Sequence, residues 1–146
     1  MIKKMCVALV VVLAACSSVM SPGTPGTPDL RLQVTGELFV RSSATGAASV
    51  PFVVQNHGTA TVRVPRCGDA VGLEVLKEEG SAWVQHHAAI CQTHQNMFPY
   101  AVEPGESLQG TWSVREPGRF RIRVVAGCDC EIRIGYPAES EAFEVR

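Results

Sequence analysis

The segment Arg119-Phe120-Arg121-Ile122-Arg123-Val124 alternates basic and apolar residues without a break. Because successive side chains of a β-strand point to opposite faces, this period of two predicts a strand with one face in the core and the other in solvent. The turn sequence Glu116-Pro117-Gly118 precedes it. Further strands are predicted at Leu30 to Val34, Val50 to Val54, Val62 to Val64, Val71 to Lys77, Trp83 to His87, Ser107 to Val114, Glu131 to Tyr136 and Glu141 to Val145.

No segment spaces its apolar residues by three and four over the length that a helix needs, and Pro or Gly interrupts the chain every ten residues or so. Glu78-Glu79-Gly80-Ser81 joins two of the predicted strands as in a hairpin. Seven to nine short strands connected by turns predict an all-β fold, an antiparallel β-sandwich. Trp83 and Trp112 lie within alternating strands, so core packing is expected for both.

The N-terminal residues follow a different pattern. Lys3 and Lys4 precede an apolar run that ends in Leu13-Ala14-Ala15-Cys16, which resembles the lipobox of bacterial lipoproteins. The resemblance implies a signal peptide at 1–15, lipidation of Cys16 and, since Ser17 rather than Asp follows it, an outer-membrane location if the organism is Gram-negative. Residues 16–28 are rich in Pro, Gly, Ser and Thr and predict a disordered tether of roughly 30 Å, leaving 29–146 as the folded domain.

Charge excludes one class of partner. Removal of residues 1–15 takes away Lys3 and Lys4, so that eleven basic and fourteen acidic residues remain, a net charge of −3 with His neutral. A broad nucleic-acid surface is therefore not expected. The membrane, through the lipid on Cys16, and another envelope protein are the predicted partners.

Several short motifs are spread along the predicted strands and turns: Phe52 to Gly58, Arg66-Cys67-Gly68, Trp83, Cys91, Val102 to Ser107, Pro117 to Arg121 and Phe143-Glu144-Val145. They resemble motifs of immunoglobulin-like domains of bacterial lipoproteins, and the resemblance covers most of Leu30 to Val145. It also touches the Ig-like intracellular proteinase inhibitor family of bacilli, which lacks this cysteine pattern. The resemblance implies an immunoglobulin-like sandwich and says little about activity.

Four cysteines remain besides Cys16, and an even number in an exported domain predicts disulfides, with three possible pairings. The resemblance to Ig-like lipoproteins implies a bridge between Cys67 and Cys91, which leaves Cys128 and Cys130 to each other. Because only Asp129 separates those two, their bridge needs a tight turn.

The segment Cys91-x-x-His94-x-x-Met97 resembles the ligand loop of amicyanin-type blue copper proteins, with His57 as the second imidazole. In those proteins the loop joins the last two strands, whereas 49 residues follow Met97 here, and a disulfide at Cys91 would remove the thiolate. No cofactor is therefore expected, with copper as the alternative. A variant of the site would use His86 and His87 with His94 and Met97, although adjacent residues of a strand point to opposite faces.

Arg119, Arg121 and Arg123 share the face opposite to the apolar residues of their strand, and three guanidinium groups in a row could hold an anion or a partner's carboxylates. Alternatively, they lie opposite acidic residues of neighbouring strands. No motif of a nucleophile elbow, zinc protease or phosphate loop is present, so a non-catalytic binding or structural module is expected, acting through loops or a strand edge. The alternatives are a periplasmic metal-binding protein using His94 and Met97, and a proteinase inhibitor acting through Gln92 to Tyr100.

Overall fold

The computed structural model describes residues 26–88, 98–128 and 131–146, and the side chains of 128 and 131–134 are not described. All regular secondary structure in these ranges is β-strand, which confirms the all-β prediction. No helix long and apolar enough to cross a membrane occurs in the described ranges. The strands are β1 (Leu30–Val34), β2 (Leu38–Phe39), β3 (Ala48–Asn56), β4 (Val62–Val64), β5 (Arg66–Cys67), β6 (Ala70–Val71), β7 (Glu74–Glu79), β8 (Ala82–Ala88), β9 (Tyr100–Val102), β10 (Ser107–Val114), β11 (Gly118–Cys128), β12 (Glu131–Glu139) and β13 (Phe143–Val145).

The strands form an immunoglobulin-like sandwich of two sheets, which are antiparallel except for one short pair. The first sheet has the order β1-β3-β10. In the second, β11 pairs with β12 and β13 on one side and with β4 and β7 on the other. The edges of the second sheet are β2, which runs parallel to β13, and the strands β8 and β9. This is the immunoglobulin topology, with three strand positions in one layer and five in the other.

Two neighbouring strand positions of the second sheet are each occupied by two separate segments of the chain. Both β4 and β7 run antiparallel to β11, so they are two parts of one strand, separated by residues 65–73. Likewise β8 pairs with β7 and β9 with β4, so residues 89–99 separate two parts of the next strand. The thirteen described segments therefore occupy eight strand positions plus a small β5–β6 hairpin, which is why the segments outnumber the seven to nine strands predicted.

The core lies between the two sheets and follows the period of two in the sequence. Phe120, Ile122 and Val124 of β11 are fully buried, while the arginines between them face outward. On the facing sheet, β3 buries Val50, Phe52 and Val54 in the same way, and the closing strand β13 buries Phe143 and Val145. Alternation at these positions places one apolar face of each sheet in a shared core.

A buried amide at the end of β3 connects the turns at one end of the sandwich. Asn56 is fully buried, and its Nδ2 donates to the carbonyl oxygens of Ala60 and Val102, each at 2.8 Å. Its Oδ1 accepts from the Gly58 N–H at 2.9 Å, and its backbone N–H donates to the Glu106 carbonyl. Every polar atom of the side chain is therefore satisfied, and one residue fixes both the β3–β4 turn and the approach to β10.

The chain entering the domain also binds at this end. The Thr27 N–H donates to Thr59 Oγ1 at 2.9 Å, and the Thr27 carbonyl accepts from the N–H groups of Thr59 and Ala60. A Cβ atom on Gly58 would lie 2.2 Å from the Thr27 carbonyl oxygen, so only glycine allows this close approach. The packed chain therefore includes Thr27, whereas the predicted signal peptide and most of the predicted tether lie outside the described residues.

One expectation about the core is wrong. Trp112 of β10 packs against the core, as predicted, but Trp83 of β8 lies on the outer face of the second sheet, where the guanidinium carbon of Arg121 is 4.4 Å from its ring centre. The alternation of β8 does not reveal which side is buried, because β8 is an edge strand with few buried residues.

We expect Asn56→Asp to lower the free energy of unfolding by about 3 kcal/mol at pH 7, because a carboxylate would face two carbonyl oxygens and lose both hydrogen bonds. Burial would raise the pKa of the new carboxyl in the folded state, so the folded protein would bind more protons and the deficit would shrink as the pH falls. Urea unfolding at pH 7 and at pH 5 measures both effects. Gln55→Glu, the same chemical change on the exposed neighbour, is the control and should change stability by less than about 0.5 kcal/mol. A loss for Asn56→Asp that does not depend on pH would contradict this account.

Candidate functional site

The three arginines of β11 form a ladder that acidic residues of neighbouring strands neutralise. Guanidinium and carboxylate groups alternate across the outer face of the second sheet, with three acids to three arginines, so the face carries little net charge to attract an anion. The pairs are Arg119–Glu78 at 3.1 Å, Arg121–Glu139 at 3.8 Å, Arg123–Glu139 at 2.6 Å and Arg123–Glu74 at 3.5 Å. The three arginines therefore lie opposite acidic residues of neighbouring strands, which was the alternative to anion binding.

Three of the four predicted copper ligands, Cys91, His94 and Met97, lie outside the described residues. The same holds for Cys130 and the side chain of Cys128, which were predicted to form a disulfide. His57 is exposed in the turn after β3, and its N–H donates to the Asp29 carbonyl at 2.7 Å. Among the described residues, no group of three or more His, Cys, Asp or Glu is placed to hold a metal ion. Cys67 is disulfide-bonded. The copper site and the identity of the cysteine pairs stay predictions.

The proposed inhibitory loop, Gln92 to Tyr100, is described only from Phe98 onward. Phe98 is 78% exposed, and the Tyr100 hydroxyl donates to the Asp69 carbonyl at 2.9 Å. The end of this loop is therefore attached to the inserted segment 65–73, and the inhibitor alternative also stays a prediction.

The open side of the sandwich lies along β10, and its backbone hydrogen bonding can be worked out from the pairing of β3. Pro51 and His57 of β3 bond toward β1, through Thr35 and Asp29, whereas Asn56 bonds toward Glu106 just before β10. Odd-numbered residues of β3 thus face β1 and even-numbered ones face β10. Thr111 pairs with Pro51, so its N–H and carbonyl point away from β3. The same holds for the other odd-numbered residues of β10, Ser107, Gln109 and Ser113.

This free edge lacks the features that usually prevent strand addition. The eight residues of β10, SLQGTWSV, contain no charge and no proline, and their pairing with β3 continues without a bulge. In the described part of the chain no strand pairs with the outer side of β10. Edge strands of soluble proteins are commonly blocked by Lys, Pro or a bulge, so an edge with none of these is a candidate binding surface.

A groove, here called the edge groove, runs beside β10 because the second sheet is wider than the first. Trp112 divides it into two cavities. The cavity on the Gly110 side, of about 320 Å³, includes Leu108 and Tyr100 in its lining. The cavity on the Val114 side, of about 340 Å³, reaches Val75 of β7 and the end of β8. The edge groove is therefore lined by apolar and polar groups together, and one of its walls is a strand whose outer edge pairs with no described strand.

A β-bulge places two imidazoles at the edge groove, which corrects the sequence-based expectation. Val75 pairs with His87 but Leu76 pairs with Gln85, so His86 is an extra residue in β8. As a result His86 and His87 line the same cavity instead of pointing to opposite faces. Their ring centres lie 5.7 Å from that of Phe120 and 4.8 Å from that of Trp112, respectively. A bulge depends on how two strands pair, and nothing local in the sequence of β8 marks it.

At the Val114 side of the edge groove, some charged side chains form ion pairs and one does not. Lys77 Nζ contacts Glu116 Oε2 at 2.9 Å, and His86 Nε2 lies 3.9 Å from the same oxygen. The hydrogen bond and charge of Lys77, and to a smaller extent the charge of His86, hold the pKa of Glu116 below its ordinary value of 4.5. Arg115 also lines this cavity and, among the described residues, forms no salt bridge. The Arg115 guanidinium therefore has no described carboxylate partner, and Arg41 Nη1 donates to the Arg115 carbonyl at 3.1 Å.

The middle of β10 depends on a glycine. A Cβ atom on Gly110 would lie 2.3 Å from the Phe52 ring, which packs across the glycine from the neighbouring strand. An aromatic ring over a glycine covers the backbone that the missing side chain would leave exposed. The Phe52 ring thus packs against the backbone of β10 at Gly110, beside the first of the two cavities.

The sequence matches no protein-family model and no curated protein. Solved structures that the chain resembles include the CARDB domain of a Pyrococcus furiosus protein in complex with di-metal ions (15% identity, TM-score 0.38, 82% of this chain and 89% of that chain). A putative ApaA protein from Bordetella pertussis aligns with 13% identity and a TM-score of 0.37 over 82% of this chain and 90% of that chain. A β-glucosidase from Listeria innocua in complex with glucose aligns at 14% and 0.37 over 81% of this chain, which spans only 16% of that enzyme.

We expect Lys77→Met to raise the pKa of Glu116 toward 4.5, because Lys77 is the main cause of its lowering. A carboxyl whose pKa is lowered by folding stabilises the folded state above its ordinary pKa, and this stabilisation is lost as the pH falls through the lowered pKa. The variant should therefore lose less stability than the unaltered protein as the pH falls through the lowered pKa. Carboxyl NMR titration measures the pKa. Glu144 is the internal control, because its pKa is lowered by Arg146 and should not change. An unchanged pKa of Glu116 would contradict the contact.

We expect Gly110→Ala to destabilise the domain by about 1–3 kcal/mol, since the new methyl group overlaps the Phe52 ring. Combination with Phe52→Leu should recover part of this loss in a double-mutant cycle measured by chemical unfolding, because the smaller side chain leaves room. Additive effects of the two substitutions would show that the ring is not the obstacle.

Proposed function

We propose that this protein is a non-catalytic, lipid-anchored binding module of the cell envelope, and that it binds another envelope protein at the edge groove. The observation that carries this proposal is the uncharged edge of β10, which pairs with no strand among the described residues and lies beside a groove centred on Trp112. Aromatic residues in partly desolvated pockets are the usual energetic centres of protein interfaces. The neutralised arginine ladder on the outer face offers no comparable surface.

The anchor is part of the same proposal. The predicted lipid on Cys16 and the tether behind it would hold the domain roughly 30 Å from the membrane, within reach of other envelope proteins. Thr27, where the tether meets the domain, is bonded to the turn around Thr59. This turn lies at the same end of the sandwich as the Glu106 end of β10, so the other end of β10 points away from the point of attachment.

Photo-crosslinking in living cells tests the binding surface. A photoreactive residue replaces Gln109, on the free edge, or Gln33, the same residue type on β1 at the opposite edge of the first sheet. We expect a discrete crosslinked protein from Gln109 and none, or a much weaker one, from Gln33. The captured protein, once identified and purified, should bind the full chain and bind Trp112→Ala more weakly by about tenfold or more. Equal crosslinking from both positions, or no loss with Trp112→Ala, would exclude the edge groove as the binding surface.

Fractionation of the same cells tests the anchor. Cys16→Ser removes the thiol that would carry the lipid, so the protein should leave the detergent-extractable membrane fraction, and metabolic labelling with a fatty acid should be lost. Cys67→Ser leaves the lipidation motif intact and is the control for loss of a cysteine as such. Unchanged membrane association of Cys16→Ser would contradict lipid anchoring.

A further inference from the structure

We propose that the partner contributes one extended segment, which adds to the first sheet as a fourth strand antiparallel to β10, with an acidic residue at its N-terminal end beside Arg115. This inference rests on the proposed function and states how the partner is held. In the immunoglobulin fold the sheet containing β1, β3 and β10 commonly has a fourth strand next to β10. Here Val102 of β9 leads through Glu103 to Glu106 directly into β10, so the chain itself supplies no such strand in the described residues.

The backbone of β10 supplies the hydrogen bonds that a strand requires. Ser107, Gln109, Thr111 and Ser113 direct their N–H and carbonyl groups outward, as the pairing of β3 shows. These are four donors and four acceptors at regular spacing along an uninterrupted edge. An extended polypeptide is the ligand whose own backbone matches such a row, whereas a folded surface without a free edge cannot satisfy it.

The edge groove provides room for the side chains of that strand. Alternate side chains of the added strand would point toward the second sheet, roughly 7 Å apart. Trp112 separates two cavities of about 320 and 340 Å³ along the same direction, so inward-facing residues on either side of the indole would each enter one cavity. Val71 and Leu73 line the first cavity and Val75 the second, which favours small apolar side chains at these positions.

Charge distinguishes the two ends of the groove. Beyond β10, Arg115 has no ion-pair partner among the described residues, while Glu116 is neutralised by Lys77. At the other end of the groove Asp69 is paired with Arg66 at 2.7 Å. A ligand with an acidic residue therefore gains at the Arg115 end only. In an antiparallel strand that end meets the N-terminus of the ligand.

A second copy of the chain is a poorer occupant. In a dimer formed by pairing β10 with β10 of another copy, the wider second sheets would meet beneath the joined first sheets. The ends of the two β8 strands, which line the cavity beside Trp112 in each copy, would then compete for the same space. A single extended segment has no second layer and meets no such obstacle.

The test uses the full chain in detergent and a fluorescein-labelled octapeptide of sequence ETVTVTVT, followed by fluorescence anisotropy. The peptide has the proposed alternation and an acidic N-terminus. We expect binding that Thr111→Pro weakens by about tenfold or more, because proline removes an outward N–H without touching the bonds to β3. Thr111→Val retains that N–H and should bind like the unaltered protein.

Two altered peptides keep the test decisive if Thr111→Pro does not fold. N-methylation of alternate residues on the edge facing β10 should abolish binding, while N-methylation of the residues between them should not. The peptide KTVTVTVT should bind more weakly than ETVTVTVT, and Arg115→Glu should reverse this order. Absence of binding by every peptide, or binding that N-methylation on either set leaves unchanged, would overturn strand addition.

The outcome also separates this inference from the function on which it rests. If the protein captured at Gln109 still binds Thr111→Pro with unchanged affinity, strand addition is wrong and the binding module stands. If the chain instead forms dimers that Thr111→Pro dissociates in analytical ultracentrifugation, the occupant is a second copy and the inference is overturned. If no protein is captured at Gln109 while the octapeptide binds with the expected dependence on Thr111, the proposed function fails and the edge is a strand acceptor without an envelope partner.

Discussion

The second sheet depends on β11, its longest strand, which has partners along both edges. One edge carries β12 and β13 and the other carries β7 and β4, so two interrupted strands are held in line by one continuous strand. Its inner face contributes Phe120, Ile122 and Val124, all fully buried. Because β11 is paired on both edges and buries one face completely, the strands beside it can leave and rejoin the sheet without dividing it. The inserted segment 65–73, which borders the edge groove, exists on this condition.

The period of two in the sequence predicted the architecture because burial follows it closely in the centre of each sheet. Val50, Phe52 and Val54 are buried at alternate positions, as the sequence indicates. The short edge segments β2 and β9 were not predicted. A strand of two or three residues such as Leu38–Phe39 has no period to detect, and its existence depends on pairing with β13 far along the chain.

The candidate site could be predicted from the sequence less well than the fold. The arginines of β11 invited a binding hypothesis, but their meaning depended on Glu74, Glu78 and Glu139 on other strands. The edge groove, by contrast, lies beside an edge of β10 that pairs with no strand in the described part of the chain, and an unpaired edge leaves no mark in a sequence. The one available signal was the uncharged, proline-free segment SLQGTWSV, which becomes informative only when β10 is known to lie at an edge. The pair of imidazoles at the groove required a bulge that local alternation contradicts.

The bond between Thr27 and the turn at Thr59 has a mechanical consequence. In the proposed anchored protein, the tether would pull on the start of β1, and β3 separates β1 from β10 in the first sheet. Because β10 runs antiparallel to β3 and ends far from Thr27, tension between the tether and the far end of β10 would act along the strands. Hydrogen bonds loaded in this shearing direction share the force, whereas bonds loaded at a strand end open one after another. Under the proposed anchoring, a domain linked in this way would resist extraction from the envelope, and the short β2 strand, which lies outside this path, would carry no load.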